Sequence, residues 1–252
     1  MSNSIAPVRS WRDWADAPIR WAGPLAGLGI NQAVAFNHEP DVDLLYAIPV
    51  FGLCSVGGVL LADLVVHPRR RGVREAGVVR RRVRDQIPRA LAASLVAQAV
   101  FLVILLAVSV GTASADEAGR VGRALTASCQ GQTHVIGPWP GPYYAWPVLS
   151  GLGVGSVVCA LTLRRVTARA GDDGLRRVRA RVTIGAWGVL VAAPLFAVSS
   201  NMAVALFTLP CGGWAVGLGA LGLTFVAFVS AVTAGWCLVA LLVPRAHIEE
   251  RS

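Results

Sequence analysis

The hydrophobic positions of this chain fall into six long segments, and five of the six contain no charged side chain. The two clearest segments begin at Leu91 and Trp214, and each continues for more than 20 residues without an aspartate, glutamate or arginine. A helix needs about 20 apolar residues to cross the hydrocarbon core of a bilayer, so these lengths predict membrane-spanning helices. The six predicted spans lie at 21–37, 44–66, 90–112, 143–163, 182–208 and 214–243.

The basic residues lie between the apolar segments and are concentrated on one side of the predicted membrane. All 23 are arginine, and 21 of them lie in the head, in segments 67–89 and 164–181, or in the tail; the other two are Arg120 and Arg123. Cytoplasmic loops of membrane proteins carry an excess of basic residues, which predicts that both termini are cytoplasmic. The net charge of +9 then indicates contact with a lipid bilayer whose inner leaflet is anionic, and not nucleic-acid binding.

Together these patterns predict an all-α fold, a bundle of about six transmembrane helices in three hairpins. The chain, 1–252, is expected to form a single integral membrane domain. It has a hydrophobic content of 55% and a charged content of 15%, whereas soluble domains carry about a quarter charged residues. Outside the spans we expect an interfacial cytoplasmic head at 1–20, basic cytoplasmic loops at 67–89 and 164–181, and an outer loop at 113–142.

The first apolar segment leaves a second topology open. From Trp21 to Phe36 it would form only about 24 Å of helix, short of the ~30 Å hydrocarbon core. It also contains Pro24 and two adjacent amides, Asn31 and Gln32. The alternative is a re-entrant or interfacial segment, which would place the N-terminus outside and leave five spans.

Parts of the sequence recur and suggest a repeated plan. "YAIPV" at 46–50 returns as "YAWPV" at 144–148, and the stretches 23–40 and 193–210 agree at seven of 18 positions. Because all three predicted hairpins face the same way, they would be parallel repeats. Glycines four residues apart also predict close helix packing, at Gly23/Gly27, Gly151/Gly155 and Gly213/Gly217.

An aromatic, proline-rich stretch precedes the fourth apolar segment. Tyrosine and tryptophan favour the membrane–water boundary, where the ring lies in lipid and its polar edge stays hydrated. The prolines would hold the approach to the helix extended. We therefore predict interfacial anchors at Trp139, Tyr143, Tyr144 and Trp146.

This stretch and the following "DDGLRRVRARV" at 172–182 resemble a group of uncharacterised multi-spanning integral membrane proteins of actinobacteria. The resemblance covers about residues 137–195. It implies a multi-pass protein of a bacterial plasma membrane and carries no known activity. The use of arginine for every basic residue agrees with a GC-rich genome.

Amide side chains inside the predicted spans are the first candidates for function. If they face one another near the midplane, they would form a polar track that lines a cavity for a substrate. The alternative is hydrogen bonding between helices, worth about 0.6 kcal/mol per pair on average. The candidate residues are Asn31, Gln32, Gln98 and Asn201.

The five cysteines divide according to the predicted topology. Cys129 and Cys211 fall in outer segments, where an oxidising environment permits a disulfide, so they are a candidate pair. The other three lie within spans and are typical of small core residues. The absence of a CxxC pair from the sequence argues against thiol redox catalysis.

The sequence contains no HExxH, GxSxG or phosphate-loop pattern, and its histidines and acids match no spacing of a metal site. We therefore expect no enzyme activity, no metal and no cofactor. The expected function is that of a non-catalytic membrane protein that packs with or regulates a membrane partner, or that forms a homo-oligomer. The alternative is a permease or channel component with a polar site near the midplane.

Overall fold

The computed structural model of the chain describes residues 11–35, 40–65, 89–129, 131–168 and 173–242. Outside this part lie residues 67–88 of the predicted loop 67–89 and residues 1–10 of the predicted head. The described part is mostly helical, as predicted, and its six helices lie at the positions of the six apolar segments. They are α1 (Trp11–Ala35), α2 (Pro40–Val65), α3 (Arg89–Thr112), α4 (Pro142–Ala168), α5 (Asp173–Phe207) and α6 (Trp214–Leu242).

Four helices, α3 to α6, are long and apolar enough to cross a membrane. Among the described residues, α2 contributes a shorter apolar stretch, Ala47–Ala62. The bounds of α3 and α6 agree with the predicted spans to within one residue, because their charge-free runs end abruptly at arginines or at turn residues.

Segments predicted as head or loop are helical in α1, α4 and α5. Residues 11–20 are the first turns of α1, so this half of the predicted head is continuous with the apolar segment and does not form a separate interfacial element. Likewise α4 runs on to Ala168 and α5 begins at Asp173, so most of the predicted loop 164–181 is helical. Of that loop, 169–172 lies outside the described residues. Arginine is a good helix former, so a charged sequence does not end a helix as glycine or proline does.

Helix α5 is the centre of the bundle. It packs against α2, α3, α4 and α6, and 67% of its most apolar stretch is buried, compared with 22–28% for α3, α4 and α6. Small residues permit this close packing: a methyl group added at Gly185 would lie 2.9 Å from the carbonyl oxygen of Cys237 in α6. At 35 residues, α5 is about 52 Å long and extends beyond the hydrocarbon thickness.

The predicted role of glycine in helix packing is confirmed between α1 and α2. A methyl group at Gly23 would lie 2.6 Å from the carbonyl oxygen of Cys54, and one at Gly27 would lie 3.0 Å from the Cα of Phe51. The two helices therefore approach each other backbone to backbone. Gly23 faces Cys54, whereas Gly27 faces the earlier residue Phe51, so the two helices run antiparallel.

The other two glycine pairs differ from each other. Gly155 faces the side chain of Leu190 in α5 so closely that no further atom fits, and Gly151 lies near Pro49 and Leu53 of α2. The prediction is wrong for Gly213 and Gly217, which have open space around them. A spacing of four residues places two glycines on one helix face, but it does not say whether another helix covers that face.

The three predicted hairpins are not equivalent. Helices α1 and α2 pack along their lengths, as do α5 and α6, but α3 and α4 scarcely touch, and each packs on α5 instead. A long connection joins α3 to α4, so no short turn forces them side by side. Positions that correspond in the sequence repeat also differ in their surroundings, because Gly57 has open space around it whereas Gly155 is tightly packed.

The predicted outer loop at 113–142 contains a small β-sheet, which corrects the all-α prediction. The strands β1 (Ala113–Ser114), β2 (Ala124–Cys129) and β3 (Gln132–Ile136) pair antiparallel in the order β1-β2-β3. Thr126 and Ser128 are exposed, whereas Leu125 and Ala127 are half-buried and Cys129 is buried, as in a strand with one covered face. Gly131, at φ +82°, lies in the tight connection between Cys129 and Gln132, which are paired.

Candidate functional site

The amide of Gln98 bridges two helices. Its Nε2 donates a hydrogen bond to Oγ1 of Thr233 in α6 over 3.0 Å, and that threonine hydroxyl in turn donates to the carbonyl of Val229 over 2.8 Å. The other end of the amide, Oε1 of Gln98, is buried without a hydrogen-bond partner. This contact is the kind of bond between helices that the sequence left open as the alternative to a substrate cavity.

Sequence reasoning missed the α6 side of this contact. Ser230, one helical turn before Thr233, is 1% exposed, and its hydroxyl has no hydrogen-bond partner. Two hydroxyls three residues apart in a helix without charged side chains are the signal that would have found it, because side chains at i and i+3 share a helix face.

Asn201 is satisfied within its own helix. Its Nδ2 donates to the carbonyl oxygen of Ala197, four residues earlier in α5, over 2.9 Å. The side chain is half-buried, so one part of it faces protein. The bond gives no link between helices.

The two adjacent amides of α1 lie in different surroundings. Asn31 is half-buried, and its Oδ1 is buried without a hydrogen-bond partner, whereas Gln32 is exposed. Adjacent positions on a helix are rotated by about 100°, so only one of them can face a given neighbour. Gln32 therefore does not share a buried polar surface with Asn31.

Gln98 and Asn201 do not lie at one depth. Gln98 is 14 residues from the end of α3 next to the sheet, about 21 Å at the helical rise, and Asn201 is six residues from the corresponding end of α5, about 9 Å. The difference of about 12 Å exceeds the reach of either side chain. The structure therefore does not bring these two amides together in one midplane site.

The segment before α4 is fastened to the end of α3 through Ser109. The Ser109 hydroxyl donates to the carbonyl oxygen of Pro140 over 2.6 Å, and the indole Nε1 of Trp139 donates to the carbonyl oxygen of Ser109 over 3.0 Å. Both Ser109 and Trp139 are buried, at 0% and 3% exposure. Trp139 belongs to an apolar cluster with Leu102 and Leu106 of α3 and with residues of α4 and α5.

The four predicted interfacial anchors therefore separate into two groups. Trp139 and Tyr144 are buried in protein, at 3% and 1% exposure, so they do not present their rings to lipid, contrary to expectation. Tyr144 packs against Ala197 of α5. Tyr143 and Trp146 are exposed, at 37% and 73%. The folded loop between α3 and α4 provides a protein environment that the aromatic pattern alone does not distinguish from lipid.

Arg123 and Asp116 organise the surface of the sheet region. The guanidinium of Arg123 lies 3.8 Å from the ring centroid of Tyr143, a cation–π contact. Asp116 accepts hydrogen bonds from the backbone N–H and the guanidinium of Arg120, at 2.8 and 2.7 Å. Desolvation raises the pKa of Asp116, but these hydrogen bonds, with the charge of Arg120 and the N–H of Ala118, hold that pKa below its ordinary value.

A disulfide joins Cys129, at the end of β2, to Cys211, in the turn between α5 and α6, with Cα atoms 5.7 Å apart. The link ties the sheet to the helix pair at the centre of the bundle across 82 positions of sequence. Cys54, Cys159 and Cys237 are free thiols within helices.

Within the residues that the structure describes, no three histidine, cysteine, aspartate or glutamate side chains come close enough to hold a metal ion. The chemistry available there is hydrogen bonding by neutral amides and hydroxyls. The chain matches no known protein family, no curated protein and no solved structure.

Proposed function

We propose that the chain is a multi-pass protein of a bacterial plasma membrane, of actinobacterial type, that binds and regulates another membrane protein without catalysing a reaction. The observation that carries this proposal is the separation of the polar groups inside the helices. Gln98 is bonded to Thr233, and Asn201 is bonded to its own helix about 12 Å away in depth. A permease needs polar groups that converge on a substrate near the midplane.

The membrane topology in this proposal has six spans and cytoplasmic termini. The arginine distribution supports it, because the sheet end of the bundle carries Arg120 and Arg123 while the opposite ends of α4 and α5 carry Arg165, Arg177 and Arg181. The close packing of α1 on α2 supports insertion of the first two helices as a pair. A disulfide at the sheet end agrees with an oxidising outer space.

The partner surface in this proposal is the exposed face of α6. Phe225, Phe228 and Val232 are 57–68% exposed and continue a spacing of three and four residues that begins at Leu218 and Leu221. This spacing is typical of a helix that receives a second helix. The opposite face of α6 is already occupied by α5.

Site-specific photocross-linking tests the proposal. A photoreactive residue replaces Phe228 in α6 or, as a control, Val157 in α4, which is 59% exposed. In native membranes, position 228 should form an adduct of fixed protein mass, and position 157 should form lipid adducts alone. Lipid adducts alone at both positions would rule out a partner on α6.

One observation favours the permease alternative: three buried polar atoms lack a hydrogen-bond partner among the described residues, namely Oδ1 of Asn31, Oε1 of Gln98 and Oγ of Ser230. Such atoms are costly in a bilayer, where no solvent compensates them, and they often mark a ligand path. Solute flux into vesicles containing the purified protein, abolished by Gln98→Leu, would support this alternative over the regulatory role.

A further inference from the structure

We infer that the end of the bundle opposite the sheet binds the phosphate of an anionic phospholipid through Arg177 and Arg181 of α5. The inference deepens the proposed membrane role and rests on it. The number of arginines predicts only which side of the membrane each end of the bundle faces. The inference adds a defined site and a defined lipid chemistry at one of those ends.

The two arginines are exposed and lie one helical turn apart, so their side chains share one face of α5. Gly185, one turn after Arg181, faces the carbonyl oxygen of Cys237 in α6, whereas Leu190 of α5 contacts Gly155 of α4. At about 100° of rotation per residue, Arg177, Arg181 and Gly185 therefore lie on the α6 side of α5 and away from α4.

The depth of these arginines follows from the tryptophans of α6. Trp214 and Trp236 are 82% and 57% exposed and are 22 residues apart, about 33 Å along the helix, which matches the ~30 Å hydrocarbon core. Phe225, 68% exposed, lies midway between them. Indole rings at both ends with a phenyl ring at the centre is the order that a bilayer favours, since only indole carries an N–H for the boundary.

Arg181 lies just beyond the tryptophan at the far end. Trp236 adjoins Cys237, which packs on Gly185 of α5, and Arg181 is one turn farther from the sheet, about 6 Å. The headgroup layer extends about 5–8 Å beyond the hydrocarbon on each side. Arg181 therefore lies at the level of the lipid phosphates, and Arg177 lies one turn farther out, within reach of the same layer through its long side chain.

The chemistry of the arginine side chains favours a phosphodiester as the ligand. Guanidinium groups bind phosphate oxygens with two parallel N–H···O bonds, and each basic residue near an anionic membrane surface strengthens binding about fivefold. Phosphatidylglycerol supplies a net negative charge, whereas phosphatidylcholine is neutral overall.

Native mass spectrometry of the full chain in a neutral detergent tests the site by titration with phosphatidylglycerol or phosphatidylcholine. The wild type should bind phosphatidylglycerol more tightly, Arg181→Gln should weaken that binding about fivefold, and Arg177→Gln/Arg181→Gln should weaken it more than tenfold. Arg120→Gln is the control, because it removes one charge at the sheet end. Arg181→Lys, which keeps the charge, should retain most of the affinity and shows that folding survives.

Equal affinity for the two lipids, or equal losses in Arg181→Gln and Arg120→Gln, would overturn the inference. Displacement of phosphatidylglycerol by inorganic phosphate at equal concentration would assign the site to free phosphate instead and would also overturn it. Neither result touches the proposed membrane role, which fails separately if residues at the two ends of the bundle prove to lie on one side of the membrane.

Discussion

Trp139 donates its indole N–H to the carbonyl oxygen of Ser109, 3.0 Å away and 30 positions earlier in the sequence, and so fastens the approach to α4 onto the end of α3. The Ser109 hydroxyl donates in return to the carbonyl of Pro140. Both groups are buried in protein. The loop between α3 and α4 is therefore a folded cap whose position is fixed by hydrogen bonds as well as by the disulfide.

Removal of the Ser109 hydroxyl should destabilise the protein. Ser109→Ala leaves the buried Pro140 carbonyl without its donor, which costs about 1–3 kcal/mol of unfolding free energy. Thr112→Val is the control, because the exposed Thr112 hydroxyl bonds only within the end of its own helix. Thermal unfolding in detergent should show a lower Tm for Ser109→Ala alone, and equal Tm shifts would contradict the buried junction.

A small substitution at Gly23 should separate α1 from α2. The new methyl group in Gly23→Ala would lie 2.6 Å from the backbone oxygen of Cys54, so the helices must move apart. Gly29→Ala in the same helix meets nothing within 4 Å and should instead stabilise α1 by about 0.5–1 kcal/mol. Protease sensitivity of α1 is the measurement, and a protected Gly23→Ala variant would show that the backbones are not in contact.

The disulfide predicts a count of reactive thiols. Purified protein, denatured without reductant and alkylated, should gain three labels, at Cys54, Cys159 and Cys237, and five after reduction. In a Cys129→Ala variant, Cys211 should become a fourth reactive thiol without reduction. Mass spectrometry of the intact chain decides this, and five labels before reduction would mean that the cap is not cross-linked.

The bond between α3 and α6 predicts an asymmetry between its two partners. Thr233→Val leaves the amide of Gln98 without an acceptor, at a cost of about 1 kcal/mol. Gln98→Leu removes both that donor and the buried, unpartnered Oε1, so its effect on stability should be near zero. The double variant should unfold at the Tm of Gln98→Leu. A larger loss in Gln98→Leu than in Thr233→Val would contradict this hydrogen-bond geometry.

The sequence predicted the helices well and their arrangement poorly, for a physical reason. A charge-free run of sufficient length forms a helix whatever surrounds it, which is why the bounds of α3 and α6 were predictable. Inside a bilayer, however, a lipid-facing surface and a protein-facing surface are both apolar, so hydropathy does not reveal that α5 is central. The burial of Trp139 and Tyr144 depends on contacts far apart in sequence, such as the one with Ser109, and the aromatic pattern carries no information about them.

The sheet and the two arginine-bearing helix ends should lie on opposite sides of a membrane, and labelling of single cysteines tests this most directly. In a chain that keeps the Cys129–Cys211 disulfide and carries alanine at the other three cysteines, a cysteine replaces Ala118 beside the sheet, Ala170 between α4 and α5, or Ile5 near the N-terminus. A membrane-impermeant maleimide applied to intact cells should label position 118, and should label positions 170 and 5 only after the membrane is opened. Labelling of position 5 from outside would mean five spans, and labelling of 118 and 170 from the same side would contradict the membrane topology proposed for this protein.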